Sequence, residues 1–260
     1  MQLFKTYPKE IDELYDQYKR KRALNEEQQE ARYEKLCLEW TYNSNAIEGN
    51  SLTLSETAFY LREGLTSEGK PLVDYLEAGN HAEAIDWLFE VVRSKKPITE
   101  GFIKDLNALL HKGITECPAR GQDGNIVMRT ITPGVYKRQP NHVLTLSGEI
   151  YYYVDPLQVP GEMEKLVRLI AEQEKTMHPV ELASLVYYEI TRIHPFDDCN
   201  GRVARILLNL ILMRAGHPPI VVKMEERRAY LEAFEKADKG DKKPFYLFSA
   251  EHVKQSLKDG

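Results

Sequence analysis

The chain has 260 residues, 42% hydrophobic and 29% charged, so it can bury a core without disulfides or obligatory oligomerisation. Its 40 acidic and 35 basic side chains are interspersed and give a net charge of −5, which argues against a nucleic-acid partner, since that needs a concentrated basic field. Three cysteines without CxxC spacing and an N-terminus lacking an apolar signal region lead us to expect a cytoplasmic protein with no membrane partner.

Ile11, Leu14, Tyr15 and Tyr18 recur at helical spacing among Glu, Lys, Arg and Gln, which predicts one long, largely solvated helix over 9–39. Further helical periods cover 73–92, 99–110 with Thr99 as N-cap, 161–175, 179–193, 200–215, 225–237 and 244–257. The exception is 124–154, where Gly, Pro and Asn punctuate runs of Val, Ile, Thr and Tyr, predicting a β-hairpin or extended loop. The fold class is therefore all-α with one β insertion. A soft boundary near 65–71 separates an N-terminal helical region, 1–70, from a core, 71–260, that ends in helices. Residues 64–70 match the first seven positions of a P-loop, but Pro71 lacks the hydroxyl that would meet a metal and no strand precedes, so a plain loop is expected. His81, His111, His142, His178, His217 and His252 show no close metal spacing and are expected to be surface or core residues.

Chemistry concentrates in His194-Pro195-Phe196-Asp197-Asp198-Cys199-Asn200-Gly201-Arg202, followed by Arg205. Pro195 disfavours helix at His194, so the preceding helix should end there and leave the imidazole at a loop start. The next helix begins near Asn200, and its free N–H groups and positive dipole end make an anion site. Arg202 and Arg205, at i and i+3, stand behind it. Asp198 supplies a hard oxygen ligand, and Mg²⁺ commonly takes one or two carboxylates plus substrate phosphates. A neutral histidine can accept a proton from an attacking hydroxyl. Together these groups read as phosphoryl or nucleotidyl transfer. Cys199 as a nucleophile is the lesser alternative, because it leaves both arginines and Asp198 without a task.

The segment resembles the Fic motif HxFx(D/E)GNGR at eight of nine positions, with Cys199 standing where the pattern has glycine. The resemblance implies a Fic fold: a helical bundle with a β-hairpin flap at about 124–154. It implies that His194 is the base, that Asp198 holds Mg²⁺, and that Asn200, Gly201, Arg202 and the Cys199 position bind the phosphates of ATP. Arg205 would reach the γ-phosphate. The residues Ser44, Glu48 and Gly49 are similar to the Fic inhibitory motif (S/T)xxxE(G/N), in the class that carries it N-terminally at 44–50; Glu48 would occupy the guanidinium of Arg205. Thr130, Ile131 and Thr132 would belong to the flap that positions a target, and Tyr230 to the region near adenine. The activity implied is transfer of AMP from Mg-ATP to a Ser, Thr or Tyr hydroxyl of a target protein or of the chain itself, with removal of AMP as a second implied activity. Family members often form homodimers, although nothing in the sequence locates an interface. Two rivals are a Fic enzyme using another donor, such as UTP or CDP-choline, and a nucleotide-binding regulator or pseudoenzyme in which Cys199 and Glu48 block turnover.

Overall fold

The structure is a computed structural model that describes residues 7–20, 25–120 and 125–259. Its centre is the pair α7 (Pro179–Ile193) and α8 (Asn200–Arg214), joined by the short signature loop. α8 is buried from Arg202 to Leu212 on every face, as expected of an apolar helix surrounded by others. The helices α4 (Leu72–Ser94), α5 (Glu100–Leu110) and α2 (Glu26–Ala46) pack against α8. The helices α6 (Val159–Gln173) and α10 (Lys243–Asp259) flank α7, with α9 (Arg227–Asp238) and α1 (Tyr7–Arg20) outside α10. One apolar core runs from Ile11 and Trp40 through α7 and α8 to Val253 and Leu257, so the N-terminal helices share the core of the rest.

The single helix expected over 9–39 is two helices. Asn25 Oδ1 accepts the Gln28 N–H at 2.8 Å while Gln28 Oε1 accepts the Asn25 N–H at 3.1 Å, a reciprocal cap that starts α2 afresh. Residues 21–24 lie outside those described. A further helix, α3 (Leu54–Glu63), opens with the same device between Thr53 and Glu56 and ends at Gly64 with φ 69°. The P-loop look-alike is the loop after α3; its Lys70 Nζ donates to the Ser51 carbonyl.

The β region is two hairpins rather than one. β1 (Glu116–Arg120) pairs antiparallel with β2 (Ile126–Thr130), and β3 (His142–Leu144) with β4 (Ile150–Tyr152). The expected start at Gly124 lies outside the described residues. The strands are separated by Gly134, whose φ of 73° and close approach to the Lys104 carbonyl suit only a residue without a side chain. Its N–H donates to Asn107 Oδ1 at 2.9 Å, fixing the crossover to α5.

Candidate functional site

The loop between α7 and α8 is built by its own sequence. Pro195 stops α7, and His194 caps it in the left-handed region at φ 50°, donating its N–H to the Ile190 carbonyl at 2.9 Å. Phe196, 1% exposed, sinks into the core against Tyr136. The Asn200 side chain then clamps the turn: Oδ1 accepts the Phe196 N–H at 2.9 Å and Nδ2 donates to the Phe196 carbonyl at 3.0 Å. Asn200 was expected to bind phosphate; its side chain is spent on the loop, leaving only its main chain at the helix start.

Cys199 precedes α8 with φ 62°, the conformation for which glycine is suited and which costs a residue with a β-carbon roughly 1–2 kcal/mol. The side chain is buried, and burial pushes the thiol well above its ordinary range. That is the reverse of what a nucleophile requires.

Arg202 and Arg205 lie side by side, each 2% exposed. Arg205 donates from Nε to Ser44 Oγ and from Nη2 to the Ser44 carbonyl, both at 2.9 Å, and Nη2 meets Glu48 Oε1 at 2.7 Å. Its Nη1 is buried and makes no hydrogen bond to a described residue, so one donor remains for an anion. Glu48 lies over Gly201: a β-carbon there would collide with Glu48 Oε1 and stand 3.1 Å from Arg205 Nη1. A carboxylate thus sits at the N-terminus of α8, where the helix offers its free N–H groups. Gly49 follows at φ 102°.

The segment carrying Glu48 is tied from several sides. The Arg227 Nε donates to the Ile47 carbonyl at 2.8 Å, a cation at a helix C-terminus. Asn43 Oδ1 accepts the Met224 N–H, and Asn50 Nδ2 donates to Glu77 Oε2, both at 2.9 Å. Glu77, which looks in the sequence like one more surface charge on α4, pairs through Oε1 with Arg202 Nη1 at 2.7 Å. Arg202 Nη2 also approaches Asp198 Oδ2 at 3.4 Å.

Burial alone would raise the Asp198 carboxyl. The neighbouring His111 ring and the Arg202 charge outweigh it and hold the group well below the usual carboxylate range. Asp198 is accordingly an anion, with its side chain 38% exposed toward solvent. A half-open carboxylate beside a phosphate-sized anion cradle fits Mg²⁺, which keeps waters and takes phosphate oxygens alongside one or two carboxylates.

His194 is half-buried beneath Tyr153, the rings stacked 3.7 Å apart and 12° from parallel. Burial, helped by the charge of Lys137, lowers the imidazole to about 3, so it is neutral at pH 7. Lys137 is itself buried and lowered to about 8 for the same first reason; its Nζ donates to Asn141 Oδ1 at 2.7 Å.

Of the expected flap residues, Thr130 ends β2 and Thr132 is exposed, but Ile131 is buried against Ile114 and Cys117 and donates its N–H to the Thr115 carbonyl. The hairpin that reaches His194 is the second one, through Tyr153; the first touches the loop through Arg129, 3.1 Å from Asp197 Oδ1. Tyr230 is 5% exposed and stacks on Tyr187 within an aromatic cluster, so it forms a wall of the site beside Arg205 rather than an open face for a base. The residues that sequence reasoning missed are Glu77, Tyr153, Asn107 and His111.

Residues 97–212 match the model of the Fic/DOC family. The protein adenylyltransferase Fic of Drosophila yakuba is 32% identical over 221 residues, which are 83% of this chain and 40% of that protein. Its namesake in Nematostella vectensis is 29% identical, again over 83% of this chain and 47% of its own. The chain therefore spans less than half the length of these relatives. Among solved structures, a Fic-domain-containing signalling protein from Bacteroides thetaiotaomicron is 34% identical with a TM-score of 0.84, covering 96% of this chain and 94% of that one.

Proposed function

The chain belongs to the Fic/DOC family, and on that premise we propose that it is a protein adenylyltransferase, moving AMP from ATP to a side-chain hydroxyl, held back by its own Glu48. The observation that carries the reading is the convergence of Asp198, Arg202 and Arg205 on the N-terminus of α8, with Glu48 already filling the anion position. In this reading the triphosphate lies along the main-chain N–H groups of α8, with the spare Nη1 of Arg205 taking an oxygen now denied it by Glu48. Mg²⁺ held by Asp198 would neutralise phosphate charge. His194, kept neutral by burial, takes the proton of the incoming hydroxyl, and its fixed place beside the cradle supplies the orientation that in-line transfer needs.

Glu48 and a γ-phosphate compete for the same guanidinium. Two unit charges about 4 Å apart interact by roughly 4 kcal/mol at an effective dielectric near 20, so leaving Glu48 in place disfavours productive ATP. Domain organisation follows the same reading: 44–50 is the regulatory segment, 71–260 the catalytic core, and the second hairpin with Tyr153 lies where a target main chain would approach His194. The targets proposed are protein hydroxyls, including those of the chain itself.

The test is label transfer by the Glu48→Gly variant. Label in the α-phosphate of ATP should appear on protein and label in the γ-phosphate should not; γ-label would assign a kinase, and neither label a nucleotide-binding regulator. Parallel incubation with UTP and CDP-choline decides the donor. Among the described residues no helix is long and apolar enough to cross a membrane.

A further inference from the structure

Asp198 does not stand alone. His111, at the C-terminus of α5, and Cys199, its neighbour in the loop, bring an imidazole nitrogen and a sulfur to it, and the three ligand atoms all lie within 4.8 Å of one another. It is the one such grouping among the described residues.

His111 carries the argument. It is 3% exposed, and its Nδ1 lies 3.0 Å from the Asn107 carbonyl, an atom that only accepts, so Nδ1 bears a proton. Nε2 is then the ring nitrogen turned toward Asp198. That nitrogen is buried, makes no hydrogen bond to a described residue, and points at Asp198 Oδ2 from 3.5 Å. An imidazole nitrogen and a carboxylate oxygen held 3.5 Å apart in a buried place call for a cation between them, a proton or a metal ion. A main-chain carbonyl holding Nδ1–H while Nε2 faces outward is also the usual support of a metal-ligating histidine.

The same Asn107 fixes the other partner: its Nδ2 donates to the Asp198 carbonyl at 3.0 Å, and its Oδ1 is held by the Gly134 N–H. Imidazole and carboxylate are thus set against each other by one residue. Ligand atoms around a tetrahedral metal with bonds of about 2.0–2.3 Å stand roughly 3.5 Å apart. The His111–Asp198 separation already has this value, and the sulfur lies within 4.8 Å of both.

We propose that His111 Nε2, Asp198 and Cys199 Sγ form a site for a thiophilic divalent cation of the zinc type, overlapping the carboxylate that the transferase reading gives to Mg²⁺. The donor set decides the class: imidazole and thiolate suit Zn²⁺ and its neighbours, whereas Mg²⁺ selects oxygen in a near-octahedral shell. Binding forms the metal–sulfur bond with release of the thiol proton to water, as coordination of a buried thiol demands. The exposed side of Asp198 leaves the remaining coordination positions to solvent.

The site is tested by binding, without nucleotide and independently of any transferase activity. The reduced full chain is titrated with Co²⁺ and then with Zn²⁺. A thiolate-to-cobalt charge-transfer band should grow to one equivalent and vanish as Zn²⁺ displaces Co²⁺. Cys199→Gly should abolish the band and weaken Zn²⁺ at least ten-fold while circular dichroism remains that of the parent. His111→Leu should weaken Zn²⁺ similarly, and Cys37→Ser and Cys117→Ser should leave band and affinity intact. No band, the outcome if a proton alone bridges His111 and Asp198, overturns the proposal. So does a band that survives Cys199→Gly, or Zn²⁺ affinity in that variant within two-fold of the parent.

Discussion

Glu48 and Gly201 share one volume: the carboxylate of the first occupies the space that a β-carbon on the second would fill. The α8 N-terminus must be bare for an anion to reach its N–H groups, and in this structure the anion is the chain's own. Gly201→Ala is therefore expected to displace Glu48 from Arg205 and, by the same methyl group, to obstruct phosphate. Self-labelling should stay at background in Gly201→Ala and in the double variant with Glu48→Gly. Full activity in the double variant would show that the phosphates lie elsewhere.

Cys199 adopts a backbone conformation suited to glycine, while its sulfur is packed in the core. Cys199→Gly relieves the strain and loses the packing, two effects of about 1 kcal/mol and opposite sign. Cys199→Ala keeps the strain and still loses the sulfur. Denaturant unfolding should thus rank Ala below Gly by about 1 kcal/mol; the reverse order would mean that φ at this position relaxes.

Tyr153 screens His194 from water by stacking on it. Tyr153→Ala should let the imidazole rise from about 3 toward its ordinary value, followed by its ring proton shifts against pH in NMR. An unchanged titration would place the cause of the low value with Lys137 and the core instead of the second hairpin.

His217 is stacked on Tyr15 at 4.3 Å and, chiefly by burial, lowered to about 4. The unfolded chain, titrating near 6.5, binds this proton between those two values while the folded chain does not. Stability from this group is complete above about pH 6.5 and is lost as the pH falls toward 4, by up to about 1.4 kcal/mol per pH unit. His217→Phe keeps a ring on Tyr15 and removes the titration. The drop in urea midpoint between pH 7 and pH 5 should be smaller than in the parent; an equal drop would assign acid sensitivity to other groups.

Much of this site was legible because its signals are local. Pro195 after His194 marks the end of α7, and the arginines at i and i+3 lie on the first turns of the next helix. The helix α3 carried a readable signal too, the Thr53–Glu56 reciprocal cap, which apolar periodicity alone passed over. Other features have no local trace. Glu77 is an ordinary acidic residue on α4 until the fold brings it to Arg202. His111 and Asp198 are joined only by the packing of α5 on α8, and the division of the β region into two hairpins follows from Gly134 pressing on α5. Asn200 shows the converse: its presence at the helix start was readable, yet its side chain bonds inward to Phe196.

The central claim, that Glu48 restrains a competent transferase centre, is tested most directly by the intact mass of purified protein after incubation with Mg-ATP. Glu48→Gly should gain the mass of one or more AMP groups within the time the parent shows little or none, and adding His194→Ala should remove the gain. Equal masses for Glu48→Gly and the parent, or AMP uptake that survives the loss of His194, would contradict the account.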